Sequence, residues 1–470
     1  MPLLRALAEA CVAMLAAVAT LLCVWAIDPQ VGSGVLAVVL CLALARSHLA
    51  RDLRGRVEAA VALPVVGLLA AGVGMLLQRA PWLGATVFVG AMFVSIWLRR
   101  FGHAARRLGS LIALPLVALL VTPHAAAGAG PVAAVAMPVL IGLLALFWVG
   151  AFQLLARRVG LAAPERAGAR PSAPARARPG NEAGPQPVVS TRMALQMAVA
   201  LALSFVIGYV FFAERWAWIV LTAFLVMSGN RGRLDVAYKS VLRVGGAAAG
   251  TLLAMALGAR VGAHDAATVA LILGAVFIGV WLRPIGYAWW ALCVTVALAL
   301  LQGFSGAPAL AILWPRLAEI VIGAVIGVAS AWWLLPVRSS DVLRRRIADA
   351  LAALSDALDT DASEGVDGAT DATAREHAAD AFVAALEAVE QVAPAFRVAR
   401  AITGRWRAQQ PADWIDVVRA CEAPALALIE SGTAPAPVRR PLGAARKAVR
   451  EPEQLLEALR ALHRALRGIV

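Results

Sequence analysis

At 470 residues, with 61% hydrophobic and only 15% charged side chains and a mean hydropathy of +0.77, the chain lies far from the apolar half and charged quarter of a soluble domain. Its 43 Lys and Arg exceed its 29 Asp and Glu by 14. In a soluble protein that excess would suggest nucleic acid, but here the arginines stand at the ends of apolar blocks, which excludes that class and indicates a multi-span membrane protein.

Many of the blocks are about 20 residues long, enough for a helix to cross about 30 Å of hydrocarbon and too long for barrel strands. Arg5 ahead of an apolar run would suit a signal peptide, yet apolar sequence resumes after "DPQVGSG" with no good cleavage site, so the first block reads as an uncleaved span. Hydropathy predicts spans at 3–27, 31–47, 57–77, 82–98, 108–122 and 132–156, then at 192–212, 215–229, 241–258, 266–282, 287–302 and 317–336. The stretch between the two sets, rich in Pro, Ala, Gly and Arg without periodicity, reads as a disordered basic linker. The domain reading is therefore 1–156 as a first six-span repeat, 157–191 as linker, 192–336 as a second six-span repeat and 337–470 as a cytoplasmic helical domain.

Orientation follows from the arginines, because basic loops stay in the cytoplasm. Arg46, Arg51, Arg54 and Arg56 follow the second span, Arg99, Arg100, Arg106 and Arg107 the fourth, and Arg231, Arg233 and Lys239 the eighth; Arg283 follows the tenth and Arg338 the twelfth. The intervening gaps hold little charge of either sign. Both termini are thus expected in the cytoplasm. Residues 1–337 carry 25 basic against 10 acidic residues, and 338–470 carry 18 against 19, so the net positive charge belongs to the membrane part.

The halves repeat one another. "GAMFVSIWLRRFG" from Gly90 returns as "GAVFIGVWLRPIG" from Gly274, "RGRVEAAVALPVVGLLAAG" from Arg54 as "RGRLDVAYKSVLRVGGAAAG" from Arg231, and "RALAE" from Arg5 as "RMALQ" from Arg192. Similarity in fixed order at three places indicates an internal duplication. Six spans per half is an even number, so the repeats are parallel. The fold class is all-α: a polytopic membrane protein of two parallel six-helix repeats, 12 spans, with a C-terminal helical domain. That tail is apolar at i, i+3, i+4 and i+7 over four or five helices, separated in one place by the acidic loop "DTDASEGVDGATDAT".

"WAWIVLTAFLVMSGNRGRLDVAYKSVLRVGGAAAGTLLAMAL", "WLRPIGYAWWALCVTVALALL" and "RLAEIVIGAVIGVASAWWLLP" resemble the fusaric-acid-resistance-like integral membrane transporters, a group that includes the bacterial aromatic acid exporters and is related to the plant aluminium-activated malate channels. The resemblance is close over 190–337, weaker over 1–156, and only architectural for the tail. It implies a bacterial inner-membrane protein that moves organic anions outward. The chain departs from many members in joining its bundles by a short linker. Partners implied are the lipid bilayer and a small organic anion, with a homodimer and a periplasmic adaptor subunit left open and no nucleic acid.

Candidate residues come from comparing the halves. Gly67 and Gly72 answer Gly245 and Gly250, and Gly246 with Gly250 forms a small-xxx-small face that suits packing. Trp97 and Trp281 sit where indole prefers the headgroup level; an anchor is the bland reading, and stacking on a substrate the sharper one. Arg99 and Arg283 are duplication mates that either anchor helix ends or offer guanidinium forks to a carboxylate at the inner mouth. Pro284 should end the helix at Arg283. Arg243 has Val65 as its mate, so the duplication supplies no scaffold reason for a charge one turn into a span; it is either a snorkelling anchor or a ligand for substrate carboxylate. Glu9, with Gln196 as its mate, and Glu319 each have an arginine within reach on the same helix face, Arg5 and Arg316. They read as local ion pairs or as proton-coupling carboxylates. Glu58 and Asp235 read as scaffold pairs for nearby arginines.

Enzyme readings have no residues to stand on. The histidines lack ligand spacing, the five cysteines form no disulfide or metal framework, and there is no phosphate-cradling GxxxxGK[ST], nucleophile elbow or triad; no cofactor or metal is expected. The function these observations favour is proton-coupled export of aromatic or other organic carboxylates. A passive organic-anion channel and a non-transporting membrane scaffold are the alternatives.

Overall fold

The computed structural model describes residues 2–46, 53–101, 131–160, 189–213, 215–258, 265–304, 309–360, 368–404, 410–431 and 436–469, with scattered positions of 105–120. These residues divide into two compact units: residues 1–163, 187–230 and 239–336 form the first, and Arg231–Tyr238 with Val337–Val470 the second. Among the described residues every regular element is helical.

The apolar helices are α1 (Pro2–Ile27), α2 (Val31–Arg46), α3 (Leu53–Arg79), α4 (Pro81–Trp97), α5 (Pro131–Arg158), α6 (Val189–Phe211), α7 (Trp216–Met227), α8 (Arg233–Gly258), α9 (Ala266–Leu282), α10 (Tyr287–Phe304) and α11 (Ala309–Trp333). Seven of the helices are long and apolar enough to cross a membrane, and four more segments are apolar but shorter: Val31–Ala45, Gly67–Arg79, Trp216–Met227 and Ala266–Leu282. These eleven helices lie at eleven of the twelve expected positions, and the expected span at 108–122 falls mostly outside the described residues. Two starts differ. α8 begins at Arg233 and α11 at Ala309, each eight residues ahead of expectation, because backbone hydrogen bonding continues through charged or proline-containing turns that hydropathy reads as loop. Pro315 lies inside α11.

Little hydrophobic force acts between helices in lipid, so close packing must hold them. A Cβ added at Gly208 of α6 would meet Trp216 Cβ at 2.7 Å, and one at Gly246 of α8 would meet Ala291 Cβ of α10 at 2.8 Å. Gly250 would likewise strike Leu292 O at 2.6 Å and Gly67 would touch Val139 at 3.4 Å, whereas Gly72 and Gly245 face open space, so the packing reading holds for Gly67, Gly246 and Gly250 and not for Gly72 and Gly245. α4 packs on α6, and α1 on α9. An aromatic seam runs along the first contact, with Phe88 against Phe205 at 5.5 Å and Trp82 against Tyr209 at 5.2 Å between ring centres.

The second unit holds α12 (Ser339–Thr360), α13 (Gly368–Glu390), α14 (Ala393–Thr403), α15 (Pro411–Ala420), α16 (Glu422–Ser431), α17 (Ala436–Ala448) and α18 (Pro452–Arg467). The four or five expected helices become seven because two long runs break, one at Gln391-Val392 ahead of Pro394 and one at Cys421 ahead of Pro424. Part of the expected acidic loop is helical, since α13 starts at Gly368. Leu455, Leu459, Leu462 and Leu466 form a fully buried stripe on α18, packed with Leu354, Phe382 and Ile415.

Arg231 of the "RGRLD" segment, counted from sequence among the charges that set orientation, also holds a helix end within this unit. Arg231 Nη1 donates to Gln391 O at 2.9 Å, and Arg346 donates to Ala388 O. Two cations thus meet carbonyls at the C-terminal end of α13, where the helix dipole favours positive charge. Gly232 has φ of +115°, and a Cβ there would also meet Ser339 Cα at 2.8 Å, so only glycine makes this turn.

His463 on α18 places Nδ1 3.8 Å from Cys421 Sγ. Burial, with Arg467 nearby, holds its pKa below the ordinary 6.5. The unfolded chain therefore takes up the proton first as pH falls, and the tail loses stability from about pH 6.5 downward. Hydrogen exchange of residues 452–467 in the full-length protein should accelerate between about pH 7.5 and 5.5, beyond its intrinsic pH dependence. His463→Gln should flatten that response.

Candidate functional site

Arg243 lies ten residues beyond the first residue of α8, about 15 Å along the helix rather than one turn from its start. Its side chain is 1% exposed, so it does not snorkel. Its Nε and Nη2 atoms have no hydrogen-bond partner among the described residues, and neither has the buried hydroxyl of Tyr287, the first residue of α10. Arg243 and Arg283 both act electrostatically on that Tyr287 hydroxyl.

A second buried group lies about two turns into α11. Arg316, 2% exposed, donates from Nη1 to Gln302 Oε1 of α10 at 3.2 Å. The face of its guanidinium rests on Trp218 of α7, 4.1 Å from the ring centre. Nε and Nη2 again lack partners. One turn along α11 the fully buried Glu319 carboxylate forms its ion pair not with Arg316, as spacing suggested, but with Arg215 at 3.2 Å, a side chain 40% exposed. That approach is off the hydrogen-bonding direction, because neither Glu319 oxygen accepts a hydrogen bond. The Thr222 hydroxyl, one turn beyond Trp218, is buried and unpartnered as well. Arg243 and Arg316 act on each other electrostatically, both lying within the second half of the membrane helices.

Local sequence explains the placement. Trp218 and Thr222 share a face of α7, as Arg316 and Glu319 share one of α11, by i, i+4 and i, i+3 spacing. Gly323 lets these helices meet, since a Cβ there would lie 2.6 Å from Ile219 O. An open apolar groove of about 770 Å³ runs beside the site, lined by Ser240, Val241 and Val244 of α8 and Val321 and Val325 of α11, but Arg243 is not among its walls.

Of the other expected residues, only the charge of Arg283 reaches this group, through Tyr287. Arg283 is the C-cap of α9, exposed and 5.5 Å from the Trp290 ring centre. Arg99 lies in a short 3₁₀ turn, Leu98–Phe101, with an exposed side chain. Trp281 donates from Nε1 to Leu3 O at 3.3 Å, tying α9 to the start of α1. Glu9 pairs with Arg5 at 3.6 Å, both side chains about two-thirds exposed. Its mate Gln196 is fully buried and donates from Nε2 to Leu334 O and Leu335 O at 2.8 and 3.2 Å, satisfying carbonyls beyond the end of α11. Sequence reasoning placed Arg243 and Glu319 among the candidates. It missed Tyr287, Gln302 and Trp218, and gave Arg316 only a local role; the available signal was an arginine behind Pro315 in an otherwise apolar block.

Chemically, the site offers side-on guanidinium edges, hydroxyl donors and one carboxylate, away from water. That set can bind an anion and hold or release a proton. Residues 199–330 match the family model described as fusaric acid resistance protein-like. No curated protein sequence and no solved structure matches. The match covers the stretch from α6 to α11 in which Arg243, Arg316 and Glu319 lie, and with the apolar helices it identifies a multi-pass membrane protein in contact with the bilayer.

Proposed function

Because residues 199–330 carry the fusaric-acid-resistance-like match, we propose that the chain is a secondary transporter of the bacterial inner membrane that exports organic carboxylate anions at the expense of the proton gradient. The observation that carries this reading is Arg243: a guanidinium deep in an apolar bundle, with donors unused. A charge at mid-helix costs about 2.5–3.5 kcal/mol on insertion scales, and a purely structural cation would normally be compensated by a partner. A transported anion supplies that partner. Glu319 is the coupling carboxylate of this scheme, buried yet paired with the partly exposed Arg215, which gives a proton a way in from one side. Glu9, outward and paired with Arg5, has a lesser claim.

Twelve spans in two parallel repeats complete the architecture, with the termini and the tail in the cytoplasm. Its support is reciprocal packing: α1 and α6 are repeat mates, as are α4 and α9, and α1 packs on α9 while α4 packs on α6. Each half thus sets its first helix against the other half's fourth, as a pseudo-twofold axis along the membrane normal requires.

The test is uptake of a labelled aromatic carboxylate into everted membrane vesicles. Uptake should appear only when the lumen is acid, and should collapse when an uncoupler is added. Uptake indifferent to the uncoupler, with bilayer currents that reverse at the anion equilibrium potential, would replace this reading with a passive channel.

A further inference from the structure

We infer that α17 presents a docking face for anionic lipid headgroups, by which the tail binds the bilayer surface. The inference is independent of the transport reading and needs only that the tail belongs to a membrane protein.

Between Glu430 and Glu451 the chain has no acidic residue but five basic ones, Arg439, Arg440, Arg446, Lys447 and Arg450. All five are exposed. The first four lie on α17 and, at about 100° per residue, fall within about 120° of arc. Arg450 follows in the turn that closes the helix, its N–H donating to Lys447 O at 3.2 Å. The opposite face, Val438, Leu442 and Ala445, is buried in the core of the tail, so the fold turns the cations outward as one surface. Gly443 stands among them with nothing within 4 Å of an added Cβ, which leaves that surface open to a partner.

The charge of this face is not answered within the tail. Among the described residues none of the five forms an ion pair, and the side-chain bond of Arg446 goes to a neutral partner, Ser355 Oγ at 2.9 Å. Other arginines of the tail are neutralised, Arg397 by Glu390 at 2.6 Å and Arg400 by Asp416 at 2.7 Å. The tail as a whole holds 18 basic against 19 acidic residues, so α17 concentrates one sign of charge in a domain that is otherwise balanced.

The tether selects the partner. α11 ends at Trp333 and α12 begins at Ser339, a link too short to carry the tail away from lipid. A domain of this size has a radius of gyration of about 14 Å, so headgroup phosphates are present at a high effective concentration that a soluble polyanion would have to match. Phosphate accepts from a guanidinium fork in bidentate fashion. Each Lys or Arg brought near an anionic leaflet strengthens the attraction about fivefold.

The experiment places the full-length protein in nanodiscs of phosphatidylcholine, alone or with one-third phosphatidylglycerol, and follows phenylglyoxal modification of its arginines by mass spectrometry. Relative to Arg419 of α15, modification of Arg439, Arg440 and Arg450 should slow about tenfold or more in the anionic discs and recover in about 0.5 M salt. The double variant Arg439→Gln, Lys447→Gln changes only exposed side chains, so it should keep the melting temperature and lose the protection of Arg440 and Arg450. Equal rates in the two lipids, or protection that survives in the double variant, would overturn the lipid face. Protection that appears only on adding polyuridylate would overturn it too, and assign the face to nucleic acid.

Discussion

Gly323→Leu should yield almost no folded protein from membranes, whereas Gly245→Leu should be tolerated. At Gly323 an added Cβ would lie 2.6 Å from Ile219 O, 2.9 Å from Thr222 Cβ and 3.2 Å from Ala223 N. Two of those three atoms are backbone, so no rotamer change relieves the clash and the two helices must separate. α7 has nowhere to go: Ile219, Val220, Ala223 and Val226 are all fully buried. Overpacking a core ordinarily costs about 1–3 kcal/mol when side chains can adjust, and here the larger figure is the lower bound. Gly245 has nothing within 4 Å of an added Cβ, so the same leucine there meets open space. Size-exclusion profiles and thermal melts of the two variants in detergent provide the check. The contrast also bears on function, because the α7–α11 contact places Trp218 and Thr222 beside Arg316 and Glu319. Gly323→Ala, which adds only the clashing Cβ, should already lower the melting temperature and disturb anion binding along with it.

Helix positions were legible from hydropathy and from local stops. Arg283 caps α9 ahead of Pro284, and Asp265 accepts from the Ala267 N–H at the other end, both readable from neighbouring residues. What hydropathy could not place were the starts of α8 and α11, where charged or proline-containing turns remain helical. The depth of Arg243 was misjudged for the same reason. Side-chain direction was harder still. Glu9 and Gln196 occupy matching positions, yet one turns outward to Arg5 and the other inward to carbonyls 138 and 139 residues away. Arg316 and Glu319 were expected to pair through i, i+3 spacing, but spacing says only which residues can touch, and Trp218, Gln302 and Arg215 win those contacts from other segments. A periodic pattern reports the face of a helix. The partner across that face depends on how the helices pack, which small residues such as Gly323 settle at long range.

Arg243→Met should abolish transport without weakening the fold, and that combination separates a substrate ligand from a structural cation. Methionine matches the apolar reach of the arginine stem and removes a buried charge for which the structure offers no hydrogen bonds at Nε or Nη2. Were Arg243 an anchor or one partner of a buried pair, its loss would leave groups unsatisfied and lower the melting temperature. With no hydrogen bond at Nε or Nη2, its loss relieves up to about 3 kcal/mol of insertion cost, and the melting temperature should hold or rise. Transport should move the other way. Two charge-assisted hydrogen bonds to a carboxylate, at about 1.5–3 kcal/mol each, amount to between about two and four decades in affinity. Arg243→Lys should fall between, since it keeps the charge that draws an anion inward but not the two parallel donors that hold it. Initial uptake rates in everted vesicles, set beside melting temperatures of the same purified variants, make the comparison. Normal transport by Arg243→Met would remove Arg243 from the anion pathway, and a lower melting temperature with normal transport would make it scaffold.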